Sequence, residues 1–321
     1  MIVEQLATTA GAGGAVGAIP LQSAGSIVQF VVNGLLVGSI FALVAIGFAL
    51  VWGVVGIINL AHGEMMMLGG YVSYWAFLGL TGTGTGPGLL VLATVPVAVA
   101  VLYVVGYGLQ RAIVTRVTDE DMFLTLLVTF GLSIFIQQAT LQAFSADPRS
   151  IGATFADPSF VLGGIVVPKM KLVAFVGTLA LAAALYVYLQ TTRRGRAIRA
   201  VAQNPEAARL VGIDVQHTRA VTFGLSAAVA GGAGAFIATI LNVTPQIGLN
   251  YTLKSFVIVV FGGIGSIPGA LVGGLLLGTV EELTAGLVSS QLTLAVTFTL
   301  LVVLLVVKPQ GLFGSGTEGS T

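Results

Sequence analysis

IVQFVVNGLLVGSIFALVAIGFALVWGVVGII, residues 27–58, contains no charged side chain and no proline. A helix that crosses the bilayer core needs about 20 mostly apolar residues. The run is therefore long enough for one tilted crossing, or for one crossing and part of a second. The rest of the chain has the same character. Of its 321 residues 56% are hydrophobic and 8% charged, with a mean hydropathy of +1.03. A water-facing globular domain carries about 25% charged residues, so most of this outer surface has to face lipid. The 44 glycines agree, because small residues let membrane helices approach closely.

Further apolar runs cover 65–80, 89–109, 123–144, 172–189 and 220–241, and 256–307 holds two or three more. A Gly-Thr turn occupies 81–88, and a polar, proline-containing segment occupies 145–171. The length rule predicts an all-α, polytopic transmembrane bundle of about eight or nine spans, some of them broken or re-entrant. Backbone groups in lipid must be satisfied within their own segment, which leaves helices as the spanning elements. Residues 1–25 lack the basic start of a cleavable signal and read as a flexible leader. Residues 26–310 form the membrane domain, and the Gly-Ser-Thr-rich 311–321 reads as a flexible tail.

Basic residues mark cytoplasmic loops. They begin at Arg111 and concentrate in Arg193, Arg194, Arg196, Arg199, Arg209 and Arg219. Two crossings separate Arg111 and Arg116 from that cluster, so both loops lie on one side, the cytoplasmic one. Arg149, Lys169 and Lys171 fall on the other side, partly offset by Asp147 and Asp157. Nothing basic flanks the first span, whose direction stays open. A net charge of +1 provides no field for nucleic acid. Zero cysteines exclude disulfides and thiolate chemistry, and two histidines, His62 and His217, do not suffice for a histidine-rich metal site. The chain has no Gly-x-x-x-x-Gly-Lys-Ser/Thr, so it does not read as a P-loop nucleotide binder. Asp119-Glu120-Asp121 reads as a solvated charge run rather than a metal cluster. Glu281 and Glu282 are expected at a helix end, since charge inside the membrane is costly.

Three segments carry chemistry. The loop 191–218 contains Gln203-Asn204-Pro205-Glu206-Ala207-Ala208-Arg209-Leu210-Val211-Gly212. Asn204 suits an N-cap, Pro205 the first helical position, Glu206 the positive helix end and Gly212 the left-handed stop. A helix of about two turns follows, either an ordinary surface helix or a rigid peg for another protein. In the second segment, Asn59, His62, Gly63 and Glu64 stand between two apolar runs. They mark either the membrane–water boundary or a helix break lining a translocation path. In the third, Gly262-Gly263-Ile264-Gly265-Ser266-Ile267-Pro268-Gly269 predicts a hinge or re-entrant turn, while Gly273, Gly274 and Gly278 suit close packing.

Glu206-Ala207-Ala208, three residues and then Gly212 resemble the coupling loop of ABC importer permeases. The preceding Arg193-Arg194-Gly195-Arg196-Ala197-Ile198-Arg199-Ala200, together with Asn59-Leu60-Ala61-His62-Gly63-Glu64, resembles the branched-chain amino-acid permease family. So do Gly262 to Ala270 and the ending Lys308-Pro309-Gln310-Gly311-Leu312-Phe313-Gly314. The resemblance implies that the loop helix at Asn204, Pro205, Glu206, Ala207, Ala208, Arg209 and Gly212 docks in a cleft of an ATPase subunit. It further implies two such ATPases, which bind the ATP, so that no cofactor belongs to this chain. A second permease chain, usually a different one, and an external substrate-binding protein complete the assembly. Family members move branched-chain amino acids, other amino acids, or urea and short amides. Asn33, Asn59, Ser39, Thr239 and Asn242 are available polar contacts, with Asn33 grouped with Asn59, His62, Gly63 and Glu64 as the candidate path. The rivals are a stand-alone carrier or channel and a membrane-embedded enzyme. The enzyme is disfavoured because Asn59, His62 and Glu64 offer no nucleophile–base pair.

Overall fold

A computed structural model describes residues 24–118, 121–308 and 311–313. Its helices are α1 (Ala24–Val55), α2 (His62–Thr81), α3 (Val91–Ala112), α4 (Met122–Phe144), α5 (Lys169–Thr191), α6 (Arg193–Gln203), α7 (Pro205–Leu210), α8 (Val215–Ile240), α9 (Ile247–Gly262), α10 (Ile267–Leu287) and α11 (Thr293–Val307). Among the described residues, seven helical segments are long and apolar enough to cross a membrane. The bundle helices α2 and α9 add to these, so the expected polytopic helical bundle is the observed fold. The last apolar region is longer than its hydropathy suggested, because α9 starts at Ile247 and carries Lys254 within it.

Before α5 begins at Lys169, the polar segment lies outside the helices over residues 145–168. Its strands β3 (Ser159–Leu162) and β4 (Ile165–Pro168) form an antiparallel hairpin. Gly163 and Gly164, both at positive φ, make its two-residue turn, a conformation that side chains with a Cβ avoid. Strand β2 (Gly152–Thr154) pairs in parallel with β1 (Thr85–Pro87). Arg149 bridges to Val243, which fastens this region onto the end of α8.

The helices pack through small residues. A Cβ on Gly278 or Gly274 of α10 would overlap the α1 backbone at Gly38 or Ala42. A Cβ on Gly34 would likewise meet Thr279, so α1 and α10 run antiparallel in close contact. The same relation holds between α3 and α8, where Gly106 packs on Phe223 and Ala227 and Gly231 packs on Ala98 and Leu102. Lipid gives no hydrophobic drive for helix association, so close van der Waals approach has to supply it.

These contacts define the path of each helix. The C-terminal end of α1 packs with Val201, Ala208 and Val215 at the arginine-rich end of the bundle. Its N-terminal part meets β4 and Lys171 at the opposite end, through Gln29–Val166 and Asn33–Lys171. The direction of the first span, open in the sequence, is therefore toward the basic end. Helix α8 runs the other way, α2 leaves toward the opposite end, and α9 descends to the basic end. The helices α1 to α4 and α8 to α11 thus trace two similar paths of inverted direction. Helix α5 connects them, with α6 and α7 at its end. The pairs α1–α10 and α3–α8 are equivalent contacts under this inversion, and both are the most extensive in the molecule.

Candidate functional site

Between α1 and α2 the chain turns back into the bundle. Gly56 takes a left-handed φ of 79°, residues 57–61 are non-helical, and α2 begins at His62. His62 lies beside Val44 and Gly47 of α1. These stand 8 to 11 residues before the end of that helix, about 12–17 Å inside it at 1.5 Å per residue. The start of α2 is thus buried at depth, where its free N–H groups need partners from the protein.

Partners stand against the N–H groups of Leu60, Ala61, His62 and Gly63. Asn59, buried, accepts the Ala61 N–H on Oδ1 at 3.0 Å, and its carbonyl accepts the His62 N–H at 3.2 Å. Thr129 of α4 accepts the Leu60 N–H at 3.3 Å. Thr252 of α9 accepts the Gly63 N–H at 2.8 Å. The His62 Nε2–H donates to the Val44 carbonyl at 2.9 Å, which leaves Nδ1 as the acceptor facing Ser226 Oγ at 3.4 Å. The single Ser226 hydroxyl proton goes to the Gly47 carbonyl at 2.7 Å, so the 3.4 Å approach to Nδ1 is a contact rather than a hydrogen bond. Ser133 of α4 donates to Glu64 Oε1 at 2.9 Å, while Oε2 is buried without a hydrogen-bond partner among the described residues.

The glycines of this crossing are close contacts as well. A Cβ on Gly63 would overlap the Gly248 carbonyl, and one on Gly248 would overlap the Glu64 carboxyl. The N-terminal ends of α2 and α9, inverted counterparts, therefore meet inside the bundle. Asn59, His62, Gly63 and Glu64 come together there, held by α1, α4, α8 and α9. Asn33 stands apart, near the opposite end of α1, with Lys171 Nζ 3.5 Å from its Oδ1. Ser39 bonds the Leu36 carbonyl and accepts from Thr178, and Thr239 bonds the Phe236 carbonyl, so these do not join the cluster either.

The glycine-rich segment forms a tight turn between two helices. Helix α9 stops at Gly262, and Gly263 (φ 100°) and Gly265 (φ 77°) reverse the chain. Ser266 caps α10 by accepting the Gly269 N–H at 3.1 Å, and Pro268 sits in the first turn of α10. Gly262 and Gly269 abut so closely that a Cβ on either would overlap the other's backbone. Leu312 and Phe313 donate N–H groups to the Phe261 and Gly262 carbonyls, which satisfies the open end of α9. Residues 1–23, 309–310 and 314–321, and with them most of the expected leader and tail, lie outside the described residues, as do Asp119 and Glu120. A cavity of about 580 Å³ at the basic end is lined by Gly53, Gly56, Gln190, Arg199, Gly265 and Pro268, among others. It joins the re-entrant turn, the hinge turn and the approach to the polar loop.

In that loop α7 follows the local code. Asn204 Oδ1 accepts the N–H groups of Glu206 at 3.0 Å and Ala207 at 2.9 Å, and Pro205 opens the helix. Gly212 ends it at φ 83°, and its N–H bonds the Arg209 carbonyl at 3.0 Å. Ala208 is buried against Val201 and Val215, while Leu210 is 89% and Val211 76% exposed. The helix is thus anchored on one side and presents two apolar side chains on the other. His217, near the loop, faces the Tyr107 hydroxyl at 3.2 Å.

Glu281 departs from its expected place at a helix end. It lies well inside α10, 9% exposed, and Lys254 of α9 is 2.6 Å from its Oε2. The partner cation meets the cost that argued for a helix end. Lys254 was legible as a lone cation in an apolar region. Thr129, Ser133, Ser226 and Thr252 carried no such signal, because a hydroxyl in a membrane helix can bond its own preceding turn.

The sequence profile of the family described as "Branched-chain amino acid transport system / permease component" matches residues 30–307. The BraD protein of Pseudomonas aeruginosa, described as a high-affinity branched-chain amino acid transport system permease protein, is 36% identical over 294 residues, 89% of this chain and 95% of that one. The LivH protein of Escherichia coli, described in the same words, is 34% identical over 293 residues, again 89% and 95%. A probable branched-chain amino acid transport permease protein of Methanocaldococcus jannaschii is 28% identical over 261 residues, 76% of this chain and 77% of its own. With the matching profile spanning nearly every helix of the bundle, the chain belongs to the permease-component family of branched-chain amino acid transport systems.

Proposed function

We propose that this chain is the membrane-spanning permease subunit of an ATP-driven importer of leucine, isoleucine and valine, located in the cytoplasmic membrane. The observation that carries the reading is α7: a helix capped at both ends, anchored by Ala208 and exposing Leu210 and Val211 at the basic end. Such a peg suits the cleft of an ATPase. Two ATPase subunits would supply the energy, a second and different permease chain would complete the channel, and an external binding protein would deliver substrate. ATP and its hydrolysis products would then shift the assembly between outward-open and inward-open states by their different affinities for the two. The hinge turn at Gly262–Gly269 and the re-entrant turn at Gly56 border one cavity with Ile198, Arg199 and Ala202 of α6, the helix that leads into the peg. Motion of the peg therefore has a short physical route to both.

A stand-alone carrier is the second reading. The inverted halves and the partial helices meeting inside the bundle favour it, since such carriers are built in that way. The docking helix and the family's description as a component of a transport system weigh against it. The same architecture with urea or a short amide as cargo is a variant of the first reading. Uptake of labelled leucine by cells with and without the chain tests them. Loss on deletion, competed by isoleucine and not by urea, is the expected result. Unchanged leucine uptake in cells that express the chain removes the branched-chain reading. Co-purification of the chain with ATPase subunits separates importer from carrier.

A further inference from the structure

Among the described residues, Lys254 and Glu281 form a charged pair inside the bundle, away from the re-entrant turn. Lys254 Nζ on α9 is 2.6 Å from Glu281 Oε2 on α10, and Thr297 of α11 donates to Glu281 Oε1 at 3.1 Å. The ammonium group stands 4.4 Å from the Phe41 ring centroid and 5.8 Å from that of Tyr251, within cation–π reach of both. Both charged side chains keep some exposure, 21% for Lys254 and 11% for Glu281. Glu281, Glu282 and Phe41 line a cavity of about 120 Å³ together with Val37 and Ala285, among others, and Lys254 adjoins it through its contacts with Glu281 and Phe41.

A purely structural role does not account for this arrangement. Well-packed apolar residues would hold α9 against α10 at no greater cost than a buried ion pair. Ionisable side chains inside a membrane bundle mark substrate or ion pathways as a rule. Here the anion and one aromatic ring line the cavity, and the cation stands against both, 2.6 Å from Glu281 Oε2 and 4.4 Å from the Phe41 ring centroid. The complementary ligand carries one positive and one negative group a few ångströms apart and no net charge.

We infer that Lys254 and Glu281 form the site that takes the charged head group of a zwitterionic α-amino acid during its passage. The inference rests on the amino-acid reading above and specifies which residues meet the substrate. The pair opens by exchange of partners. The substrate ammonium group takes the place of Lys254 at Glu281, with Glu282 adding negative charge, and the released Lys254 takes the substrate carboxylate. No charge is left unpaired at either stage, which keeps the exchange low in cost inside the membrane. The cavity is smaller than a complete small-molecule pocket of about 300–1,000 Å³. It therefore holds the head group common to all α-amino acids, and the side chain is read elsewhere.

The absence of cysteine makes the test direct. Ala285→Cys places one thiol on the cavity wall of the full-length chain, and its rate of modification by a methanethiosulfonate reagent is measured in membranes. Leucine and glycine should both slow the reaction, about tenfold at ligand concentrations of ~10 times Kd. Isopentylamine and 4-methylpentanoate, each lacking one charge, should not. The same thiol in a Lys254→Met/Glu281→Leu background, which keeps the packing and removes the charges, should lose protection. Equal protection by the singly charged analogues, or unchanged protection in the apolar background, overturns the inference. Should the apolar background fail to accumulate, the ligand series on Ala285→Cys alone decides.

Leucine uptake by the unsubstituted chain separates this inference from the reading on which it rests. Uptake without protection refutes the head-group site and leaves the importer standing. Protection by zwitterions without leucine uptake keeps the site and removes branched-chain amino acids as cargo. Neither uptake nor protection removes both.

Discussion

Gly63 at the start of α2 and Thr252 on α9, 189 positions further along the chain, are joined by a backbone N–H to hydroxyl hydrogen bond of 2.8 Å. The bond links the starts of the two helices that begin inside the bundle, one from each inverted half. It also satisfies an N–H that no residue of α2 itself can reach.

Thr252→Val keeps the shape of the side chain and removes the acceptor. The buried Gly63 N–H is then unsatisfied, at a cost of about 1–3 kcal/mol. Thermal unfolding of the purified protein in detergent should show a lower midpoint for Thr252→Val and a near-normal one for Thr252→Ser. Equal midpoints for the two variants would show that the bond contributes nothing.

Gly248→Ala pushes a methyl group into the Glu64 carboxyl and should destabilise by about 1–3 kcal/mol through overpacking. Gly79, in the same bundle, has open space where its Cβ would stand and lies inside α2. Gly79→Ala should be neutral or stabilise by about 0.5–1 kcal/mol, the helix propensity difference. Chemical or thermal denaturation of both variants checks the contrast, and a reversed order would contradict the packing described.

Asn204→Ala removes the acceptor of two N–H bonds at the start of α7 and should cost about 1 kcal/mol of local stability. Asn204→Asp should preserve it. Leu210→Asp and Val211→Asp touch only exposed positions, so the fold should tolerate them within about 0.5 kcal/mol. On the proposed function, both should abolish recovery of ATPase subunits with the purified chain. Normal recovery with the doubly substituted chain would disconnect α7 from the ATPases.

Single cysteines also report the sidedness of the bundle. Leu210→Cys, at the basic end, should react with an impermeant maleimide only when the cytoplasmic face is opened. Leu162→Cys, 78% exposed on the β3–β4 hairpin, should react in intact cells once the outer barrier is permeabilised. The opposite pattern would invert the orientation drawn from the arginine cluster.

Local chemistry was legible from the sequence, and long-range chemistry was not. Composition alone specified a lipid-facing bundle, since 8% charged residues cannot solvate a surface of this size. Asn204, Pro205 and Gly212 announced α7 with its correct ends, because capping involves neighbours within four residues. The glycines from Gly262 to Gly269 announced a turn for the same reason, since positive φ is a property of the single residue.

Tertiary structure alone decided the rest. The inversion of α1–α4 and α8–α11 is a symmetry of backbone path, and it leaves no repeated string for a reader to find. Thr129, Ser133, Ser226 and Thr252 look like ordinary hydroxyls of membrane helices until the fold sets them against the turn at Asn59 to Glu64. Glu281 looked too costly for a helix interior because its partner, Lys254, lies 27 residues away on another helix. The free energy of a charge or an unpaired N–H in lipid depends on what stands within about 3 Å of it. Sequence order does not contain that distance.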